Sequence, residues 1–260
     1  MTDVGQLERL TQNRVVKLFH KQLDYDYLGN WIDRENNSNI EEAILRKYLN
    51  DKGDYSQALI GKVIYELTRA ATNQSKDLYH INKEVYSLLR YGVTAKEYAG
   101  KNTRTIKLID WEHPLENNFA IAEEVTVLGE NNKRPDVVFY VNGIALGVLE
   151  LKCSTVSVSE GIHQNLDNQD QTFIRPFFAT IQLIMAGNDT EGIRYGVIDT
   201  AEKYYLKWKE DSSIENLLDR HIVQLCQKER FLELLHDFIV YDRGTKKICR
   251  HNQYFAVKAS

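Results

Sequence analysis

Three charged residues lie at the ends of two apolar runs in one stretch of the chain. In the segment RPDVVFYVNGIALGVLELK, which covers residues 134–152, Asp136 precedes one apolar run, and Glu150 and Lys152 end the next. Two carboxylates in a dry site raise each other's pKa unless a proton or a cation neutralises them. A Mg²⁺ ion takes oxygen ligands and keeps several waters, so two carboxylates and substrate phosphate oxygens can complete its shell. With an ammonium group to stabilise developing negative charge, this set of residues suits phosphodiester hydrolysis.

The apolar runs that carry these residues predict a β-hairpin. Val137–Val141 and Ile144–Leu151 are separated by Asn142-Gly143, a dipeptide that tolerates the positive φ angles of a tight turn. Both runs lack an alternation of polar and apolar residues, which indicates strands in the middle of a sheet that is covered on both faces. Glu150 and Lys152 are two residues apart, so strand geometry puts their side chains on the same face.

The length of the turn decides whether the two carboxylates meet. If Asn142-Gly143 is a plain two-residue turn, Asp136 lies opposite Leu149 and Glu150 points to the other face of the sheet. A connection with an odd number of residues, or a β-bulge, shifts the pairing by one residue and brings Asp136 and Glu150 to the same face of the sheet. We predict one of these, with Gly143 or Gly147 as the residue that permits it.

A second interpretation of the same residues involves no catalysis. Asp136 ends a strand at the surface in this interpretation, while Glu150 and Lys152 form a cross-strand ion pair at the solvated rim of the sheet. The spacing of the three charged residues does not by itself separate the two interpretations, because short motifs also occur by chance.

A helix is predicted directly after the hairpin. Ser157 and Glu160 have the S-x-x-E spacing of a capping box, and the helix should reach about residue 171. Gln164 and Asn168 are four residues apart and share a helical face with Glu160. If this face looks toward the charged end of the hairpin, Gln164 can donate to a phosphate or a base edge. If it looks toward solvent, all three are polar surface residues.

The order of these motifs resembles a known nuclease family. Pro135-Asp136, followed by Glu150-Leu151-Lys152, resembles the PD-(D/E)xK nuclease motif. Around it, the segments VNGIALGVLELK, GIHQNLDNQ, RPFFATIQLIMAGNDTEGIRYGVI and RGTKKICRHNQYFAVKA are similar to the N-terminal nuclease region of the restriction (motor, R) subunit of type I restriction-modification enzymes. The resemblance covers most of the chain. It implies an α/β fold with a PD-(D/E)xK restriction-endonuclease-like core, in which helices flank a central mixed β-sheet, and with added N-terminal and C-terminal helices.

The resemblance also implies roles for individual residues. Asp136 and Glu150 would bind Mg²⁺, and Lys152 would be the catalytic lysine. Gln164 matches the glutamine of the family's QxxxY motif, and Asn168 stands at the tyrosine position. DNA-binding or supporting roles are expected for Arg134, Gln164 and Asn168.

For function, the resemblance implies an endonuclease domain that cuts duplex DNA by water attack on a phosphodiester. In the intact subunit, cutting would be coupled to ATP-driven translocation and to assembly with methylation and specificity subunits. The chain has no G-x-x-x-x-G-K-[ST] motif, so we expect ATP to bind only through a motor domain that lies outside this chain. Two alternatives remain, a stand-alone repair or recombination nuclease of the same superfamily and a non-catalytic module that docks subunits.

Composition limits the remaining possibilities. The chain has 260 residues, 43% of them hydrophobic, which is enough for a substantial core, and a formal net charge of −4. With that charge, any contact to DNA must use local basic clusters. Three scattered cysteines, Cys153, Cys226 and Cys249, show no CxxC spacing and indicate neither a disulfide framework nor a zinc site. No apolar run approaches the roughly 20 residues of a membrane helix, so we expect a cytoplasmic protein without a membrane partner.

Hydrophobic periodicity divides the chain into predicted elements. We predict three regions, which are a helical part over 1–92, the nuclease core over 93–205, and C-terminal helices with a connector toward an absent helicase or motor domain over 206–260. Residues 25–39 are predicted to be irregular. Helices are predicted over 10–23, 40–49, 55–71, 77–91 and 157–171. Strands besides the hairpin are predicted over 106–111, 119–128, 179–185 and 194–198.

Two groups of charged residues outside the hairpin have less specific interpretations. Nuclease metal sites of the resembled family often include an acid on a helix beside the sheet. Glu8, Glu41 and Glu42 are available, but we expect surface roles for all three. The last stretch of the chain gathers a basic run that could contact DNA or further domains, formed by Arg243, Lys246, Lys247, Arg250 and Lys258.

Overall fold

A computed structural model of the chain describes residues 3–73, 75–98 and 100–260. Its architecture is α/β, with a central six-stranded mixed sheet, helices on both faces and two small two-stranded sheets. The helices of the described residues are α1 (Asp3–Lys21), α2 (Glu42–Lys52), α3 (Gln57–Ala71), α4 (Leu78–Tyr91), α5 (Val158–Asn168), α6 (Leu217–Cys226), α7 (Lys228–Asp237) and α8 (His251–Lys258). The strands are β1 (Asp26–Asn30), β2 (Val93–Ala95), β3 (Arg104–Ile106), β4 (Phe119–Glu123), β5 (Val137–Val141), β6 (Ile144–Leu151), β7 (Leu183–Asn188), β8 (Gly192–Gly196), β9 (Ile239–Asp242) and β10 (Thr245–Ile248).

The strands of the central sheet lie in the order β1-β4-β5-β6-β7-β8. β1 is parallel to β4 and β6 is parallel to β7, whereas the other neighbouring pairs are antiparallel. The four middle strands, β4 to β7, are buried along their whole length. This burial explains why the hairpin lacks polar alternation. The prediction of a central mixed sheet flanked by helices is confirmed.

Alternate residues of the central hairpin face two separate hydrophobic layers. Phe139 packs against Phe19 of α1 and Phe231 of α7, in a core that also includes residues of α3 and α6. On the opposite face, Tyr140 packs against Trp31. α5 lies on that second face, against β6 and β7. Both faces of the sheet are therefore covered, because each layer takes every second side chain of the strands.

A β-bulge in the central hairpin sets the position of its charged end. Asn142 and Gly143 have φ angles of 52° and 82° and form a two-residue turn. Pairing between the strands is regular next to the turn and shifts between Ala145 and Gly147, so that Leu146 is the extra residue. The parity is therefore restored by a bulge in β6 and not by a longer connection.

The shift in pairing moves Asp136 from a place opposite Leu149 to one opposite Glu150. The prediction of a parity-restoring bulge is confirmed, and Gly147 lies at its edge. A side chain would be crowded at this glycine, because a Cβ atom there would lie 3.3 Å from the ring of Phe139. The bulge thus brings the two carboxylates to one face of the sheet.

β1 is a strand that the sequence does not indicate. It lies within residues 25–39, for which irregular structure is predicted, and that prediction is wrong for Asp26–Asn30. β1 forms one edge of the sheet and its residues are at least partly exposed, so the segment DYLGN carries no apolar run. Its pairing with β4 comes from a segment far along the chain, and local propensity does not report such pairing.

Other element boundaries also differ from the predictions. The strand predicted over 106–111 is wrong, because β3 ends at Ile106 and pairs with β2. β7 begins at Leu183, later than predicted, because a 3-10 helix over Arg175–Ala179 precedes it. α5 ends at Asn168 and not near residue 171. Element ends depend on turns and tertiary contacts more than on the apolar pattern that marks their interiors.

The division of the chain into regions 1–92, 93–205 and 206–260 stays a prediction. The largest hydrophobic core takes residues from each of these ranges. Among the described residues, no helix combines the length and the apolar character that crossing a membrane requires.

Candidate active site

The bulge and the end of β6 bring two carboxyl groups together. The pairing of β5 with β6 places Asp136 opposite Glu150 on one face of the sheet. The backbone N–H of Leu151 donates to Oδ2 of Asp136 at 2.7 Å and fixes that carboxyl group. Glu150 has no exposed surface, whereas Asp136 borders a cavity of about 520 Å³. The two acids expected to bind metal are therefore adjacent, and one of them is accessible.

Burial and mutual repulsion make this pair of acids costly to ionise. Burial of the carboxyl group is the main reason that the pKa of Asp136 rises to about 6. The pKa of Glu150 rises well above its ordinary value, because the residue is buried and because the Asp136 carboxylate repels a second negative charge. Neutralisation by a proton or by a bound cation therefore stabilises this pair.

Lys152 joins the same cluster. Its Nζ donates to Oε1 of Glu8 at 3.1 Å and to Oε1 of Gln164 at 2.8 Å. Burial opposes the charge on Lys152, but three nearby carboxylates outweigh this effect and raise the pKa of the ammonium group. Lys152 is therefore cationic, and side chains of α1 and α5 hold it in place.

Glu8 belongs to this cluster, so the expectation of a surface role for it is wrong. α1 packs against β4 and β6, and Glu8 precedes the buried residues Gln12, Val15 and Phe19 at helical spacing. These positions form one face of a helix. An acid that continues an apolar helical stripe is the signal in the sequence that identifies Glu8.

The other two candidate acids lie away from the cluster. Glu41 accepts hydrogen bonds from Arg34 at 3.0 and 2.6 Å, and its backbone N–H donates to the carbonyl of Gly143 at the turn of the central hairpin. Glu41 is buried, so the surface role expected for it is also wrong. Glu42 is exposed and pairs with Arg46 on α2, as predicted.

α5 turns a polar face toward the charged end of the hairpin. Gln164 reaches the ammonium group, and Nδ2 of Asn168 donates to Oε1 of Glu150 at 3.3 Å. Gly161 permits this close approach, because a Cβ atom there would lie 3.1 Å from the Cβ of Ala186. Of the two orientations left open by the sequence, Gln164 and Asn168 adopt the one that faces the cluster.

Two buried oxygens of the cluster, Oε2 of Glu150 and Oδ1 of Asn168, have no hydrogen-bond partner. An unsatisfied buried oxygen is costly, and a carboxylate oxygen is a ligand that hard cations prefer. The described residues contain no group of three His, Cys, Asp or Glu side chains arranged to hold a metal ion. The donor set therefore fits a cation that takes two protein carboxylates and completes its shell with water and phosphate, as Mg²⁺ does.

Arg134 lies at the mouth of the cavity, where its Nε is 2.5 Å from Oε2 of Glu124. A DNA-binding role for Arg134 stays a prediction. Glu124 and the adjacent, buried Glu123 are acids of the site region that the sequence reasoning misses. They directly follow the apolar run FAIA of β4, just as Glu150 lies near the end of the apolar run of β6. An acid at the end of an apolar strand is the sequence signal that could have identified them.

The C-terminal basic run is not one exposed cluster. Lys246 is buried, and its Nζ donates to Oδ1 of Asn82 at 2.8 Å and to Oε1 of Gln182 at 2.6 Å. Lys247 and Lys258 are exposed and form ion pairs with acids of neighbouring segments. Strand alternation explains the difference between the two lysines of β10. The expected contact with DNA or further domains is therefore wrong for Lys246.

Comparison with known proteins identifies the family. A family model of the type I restriction enzyme R protein N terminus matches residues 5–203. The chain belongs to this family. The matched range contains the whole cluster, from Glu8 on α1 to Asn168 on α5, and the resemblance found in the motifs is confirmed.

Relatives of this R protein N terminus carry matching names. A MjaIXP endonuclease subunit of Methanocaldococcus jannaschii is 26% identical, with 92% of this chain and 26% of the relative covered. A MjaVIIIP endonuclease subunit of the same organism is 28% identical, with 84% and 21% covered. The type I restriction enzyme HindI endonuclease subunit of Haemophilus influenzae is 27% identical, with 70% and 19% covered. The chain therefore spans about a quarter or less of the length of these relatives.

Proposed function

We propose that this chain is the endonuclease domain of a type I restriction enzyme R subunit and that it hydrolyses phosphodiester bonds of duplex DNA with Mg²⁺. The proposal depends on the convergence of Asp136, Glu150 and Lys152 at one end of the central hairpin, where a carboxylate oxygen has no hydrogen-bond partner. Membership of the R protein family and the names of the relatives support the restriction role.

In this proposal, Asp136 and Glu150 hold the Mg²⁺ ion. When bound, the ion would polarise the scissile phosphate and lower the pKa of the attacking water. The N–H of Leu151 fixes the carboxylate of Asp136, and Nδ2 of Asn168 orients that of Glu150. These contacts set the positions of both ligands before substrate arrives, which reduces the reorganisation that binding requires.

Lys152 supplies a fixed positive charge beside the phosphate. Its hydrogen bonds to Glu8 and Gln164 restrict the ammonium group to one position, so it can stabilise negative charge that develops during water attack. A preorganised donor of this kind contributes about 10²- to 10³-fold to the rate. Gln164, Asn168 and Arg134 support the site or contact DNA in this proposal.

We further propose that cutting in the whole subunit is coupled to ATP-driven translocation, in a complex with methylation and specificity subunits. The chain covers only part of its relatives and has no P-loop motif, so ATP would bind elsewhere in the subunit. The residues that line the cavity offer mainly carboxylates, cations and amides, and the cations favour contact with the DNA backbone over base readout.

The test places Asp136→Asn, Glu150→Gln and Lys152→Met singly in the full-length subunit, assembled with methylation and specificity subunits, with DNA cutting assayed beside ATP hydrolysis. We expect cutting to fall by at least about 100-fold and ATP hydrolysis to stay unchanged. Glu41→Gln is the matched control, because Glu41 is a buried carboxylate at the opposite end of the same hairpin. Undiminished cutting in Lys152→Met would contradict the proposal and favour a docking module.

The cation dependence has a separate test. Calorimetric titration of Mg²⁺ or Mn²⁺ in the presence of duplex DNA should give a binding heat with Lys152→Met, which does not cut, and none with Asp136→Asn. Equal heats for the two variants would contradict the assignment of Asp136 as a ligand. Efficient cutting by this chain without the rest of the subunit would instead support a stand-alone nuclease.

A further inference from the structure

Two arginines at the mouth of the cavity share one carboxylate. Nη1 of Arg9, on α1, lies 3.2 Å from Oε1 of Glu124, and Nε of Arg134 lies 2.5 Å from Oε2 of the same residue. The arginine side chains are 41% and 49% exposed, whereas the side chain of Glu124 is 12% exposed. The carboxylate therefore lies beneath the two guanidinium groups, and these groups face the solvent.

The backbone of Glu124 has an unusual conformation. Its φ angle is 52°, in the left-handed region that residues other than glycine adopt at a cost. The N–H of Glu124 donates to the backbone carbonyl of Asp136 at 2.9 Å, beside the proposed metal ligand. Strained backbone of this kind is enriched at functional sites. The backbone of Glu124 is thus tied to that of Asp136, and its carboxylate reaches both arginines.

The guanidinium groups keep donors that protein contacts do not use. A guanidinium presents five N–H donors in a planar fork that matches the oxygens of a phosphate. Arg134 contacts Glu124 through its Nε atom, and within the described ranges its two terminal nitrogens have no hydrogen-bond partner. The other terminal nitrogen of Arg9, Nη2, donates to Oε1 of Glu123 at 3.4 Å. Both arginines line the cavity that also contains Asp136 and Lys152.

We propose that Arg9 and Arg134 form a subsite for a DNA phosphate that flanks the scissile one, and that Glu124 is the positioning residue that holds both guanidinium groups over the cavity. This inference rests on the proposed nuclease function. A purely structural ion pair predicts the opposite effect of removing Glu124, because loss of an acid raises the local positive potential and should strengthen DNA binding.

The arginines are tested in the full-length subunit, assembled with methylation and specificity subunits, with duplex DNA as the probe. Cleavage gives KM and kcat, and binding in a Lys152→Met background gives the salt dependence between about 50 and 200 mM. We expect Arg9→Gln and Arg134→Gln each to raise KM by roughly fivefold, to leave kcat within about twofold, and to reduce the salt slope by about 0.9. Arg34→Gln is the matched control, since Glu41 holds Arg34 at the other end of the hairpin.

Glu124→Ala then decides between a positioning residue and a structural ion pair. We expect KM of Glu124→Ala to rise by roughly fivefold although a negative charge is lost. We expect a smaller rise in KM for Glu124→Gln, which keeps an oxygen that can accept from the arginines. Unchanged KM or tighter DNA binding in Glu124→Ala would overturn the positioning role. If Glu124→Ala does not fold, Glu124→Gln takes its place, and tighter binding by that variant overturns the role.

The two arginine variants decide the subsite independently of Glu124. An unchanged KM and an unchanged salt slope in both variants would overturn the subsite. The proposed nuclease function would still stand in that case if Asp136→Asn abolished cutting. Undiminished cutting in Asp136→Asn would instead reject the nuclease function and the subsite with it.

Discussion

The chain contains two hairpins that have the same kind of turn and different consequences. The turn of β5 and β6 is Asn142-Gly143 and that of β9 and β10 is Arg243-Gly244, and all four residues have positive φ angles. The first hairpin contains a bulge, whereas the second is paired regularly. Each hairpin contributes a lysine to a polar cluster, Lys152 in the first and the buried Lys246 in the second.

The two clusters differ in the hydrogen-bonding capacity that they leave unused. Nζ of Lys246 has three acceptors, which are Oδ1 of Asn82, Oε1 of Gln182 and the carbonyl of Ile181. Those contacts match the three donors of a protonated Nζ, and the side chains of this enclosed cluster are buried. The other cluster has an unpartnered oxygen on Glu150 and opens into a cavity. Burial of a charged residue therefore does not identify a site, whereas an unpartnered carboxylate oxygen in a cluster that borders a cavity is a better indicator.

The largest expected difference between the clusters is in catalysis. Lys152→Met should lower DNA cutting by about 10²- to 10³-fold, because it removes a preorganised positive charge. Lys246→Met should leave cutting within about twofold and lower the free energy of unfolding by about 1 to 3 kcal/mol, because buried acceptors lose their donor. Cleavage assays and urea unfolding measure the two effects. Equal losses of cutting would mean that the second cluster is not merely structural.

The two turns should differ in their tolerance of a side chain. A Cβ atom at Gly143 would lie 2.8 Å from the backbone carbonyl oxygen of Glu41, whereas one at Gly244 would meet nothing within 4 Å. Gly143→Ala should therefore lower the free energy of unfolding by about 3 kcal/mol or more, and Gly244→Ala by about 1 kcal/mol from the left-handed backbone. Similar values in urea unfolding would show that the central turn can move away from α2.

The clusters should also give opposite pH dependences of stability. The pKa of Asp136 is raised to about 6, so the folded protein binds a proton that the unfolded chain has released, and this contribution to stability is lost as the pH rises through about 6. Burial lowers the pKa of Lys246 well below its ordinary value, so the unfolded chain binds the extra proton. That contribution grows as the pH rises toward the ordinary lysine pKa.

Unfolding from pH 4 to 10 without divalent cations measures both effects. Asp136→Asn should exceed the wild type in free energy of unfolding by about 2 kcal/mol at pH 8, with a smaller difference near pH 4. The free energy of unfolding of the wild type should exceed that of Lys246→Met by an amount that increases from pH 7 to pH 10. A difference that is independent of pH in either pair would contradict the corresponding assignment.

The smallest expected effect concerns Tyr241, whose hydroxyl donates to Oδ1 of Asn82 at 2.5 Å. Tyr241→Phe removes one hydrogen bond of the enclosed cluster and should lower the free energy of unfolding by about 1 kcal/mol, with no change in cutting. Thermal unfolding and a cleavage assay measure this. A change in cutting would show that the enclosed cluster is coupled to the site.

The sequence by itself determined the central hairpin and its charged end. Both strands of the hairpin are apolar throughout, and Asn142-Gly143 supplies the positive φ angles of its turn, so these elements depend on local chemistry. Parity along the strands then required a bulge if Asp136 and Glu150 were to meet, and the pairing contains one. The contribution of α1 to the site, through Glu8, could not be predicted from local sequence in this way.

Only the tertiary structure decided what approaches that charged end. Glu8 meets Lys152 across 144 positions of sequence, and β1 pairs with β4 although its own segment has no strand pattern. The burial of Lys246 likewise depends on which face of β10 meets α4 and the neighbouring loop. Periodicity reports which side of an element is apolar, but contacts between distant segments are set by packing of the whole chain, and polar residues in those contacts carry no local signal.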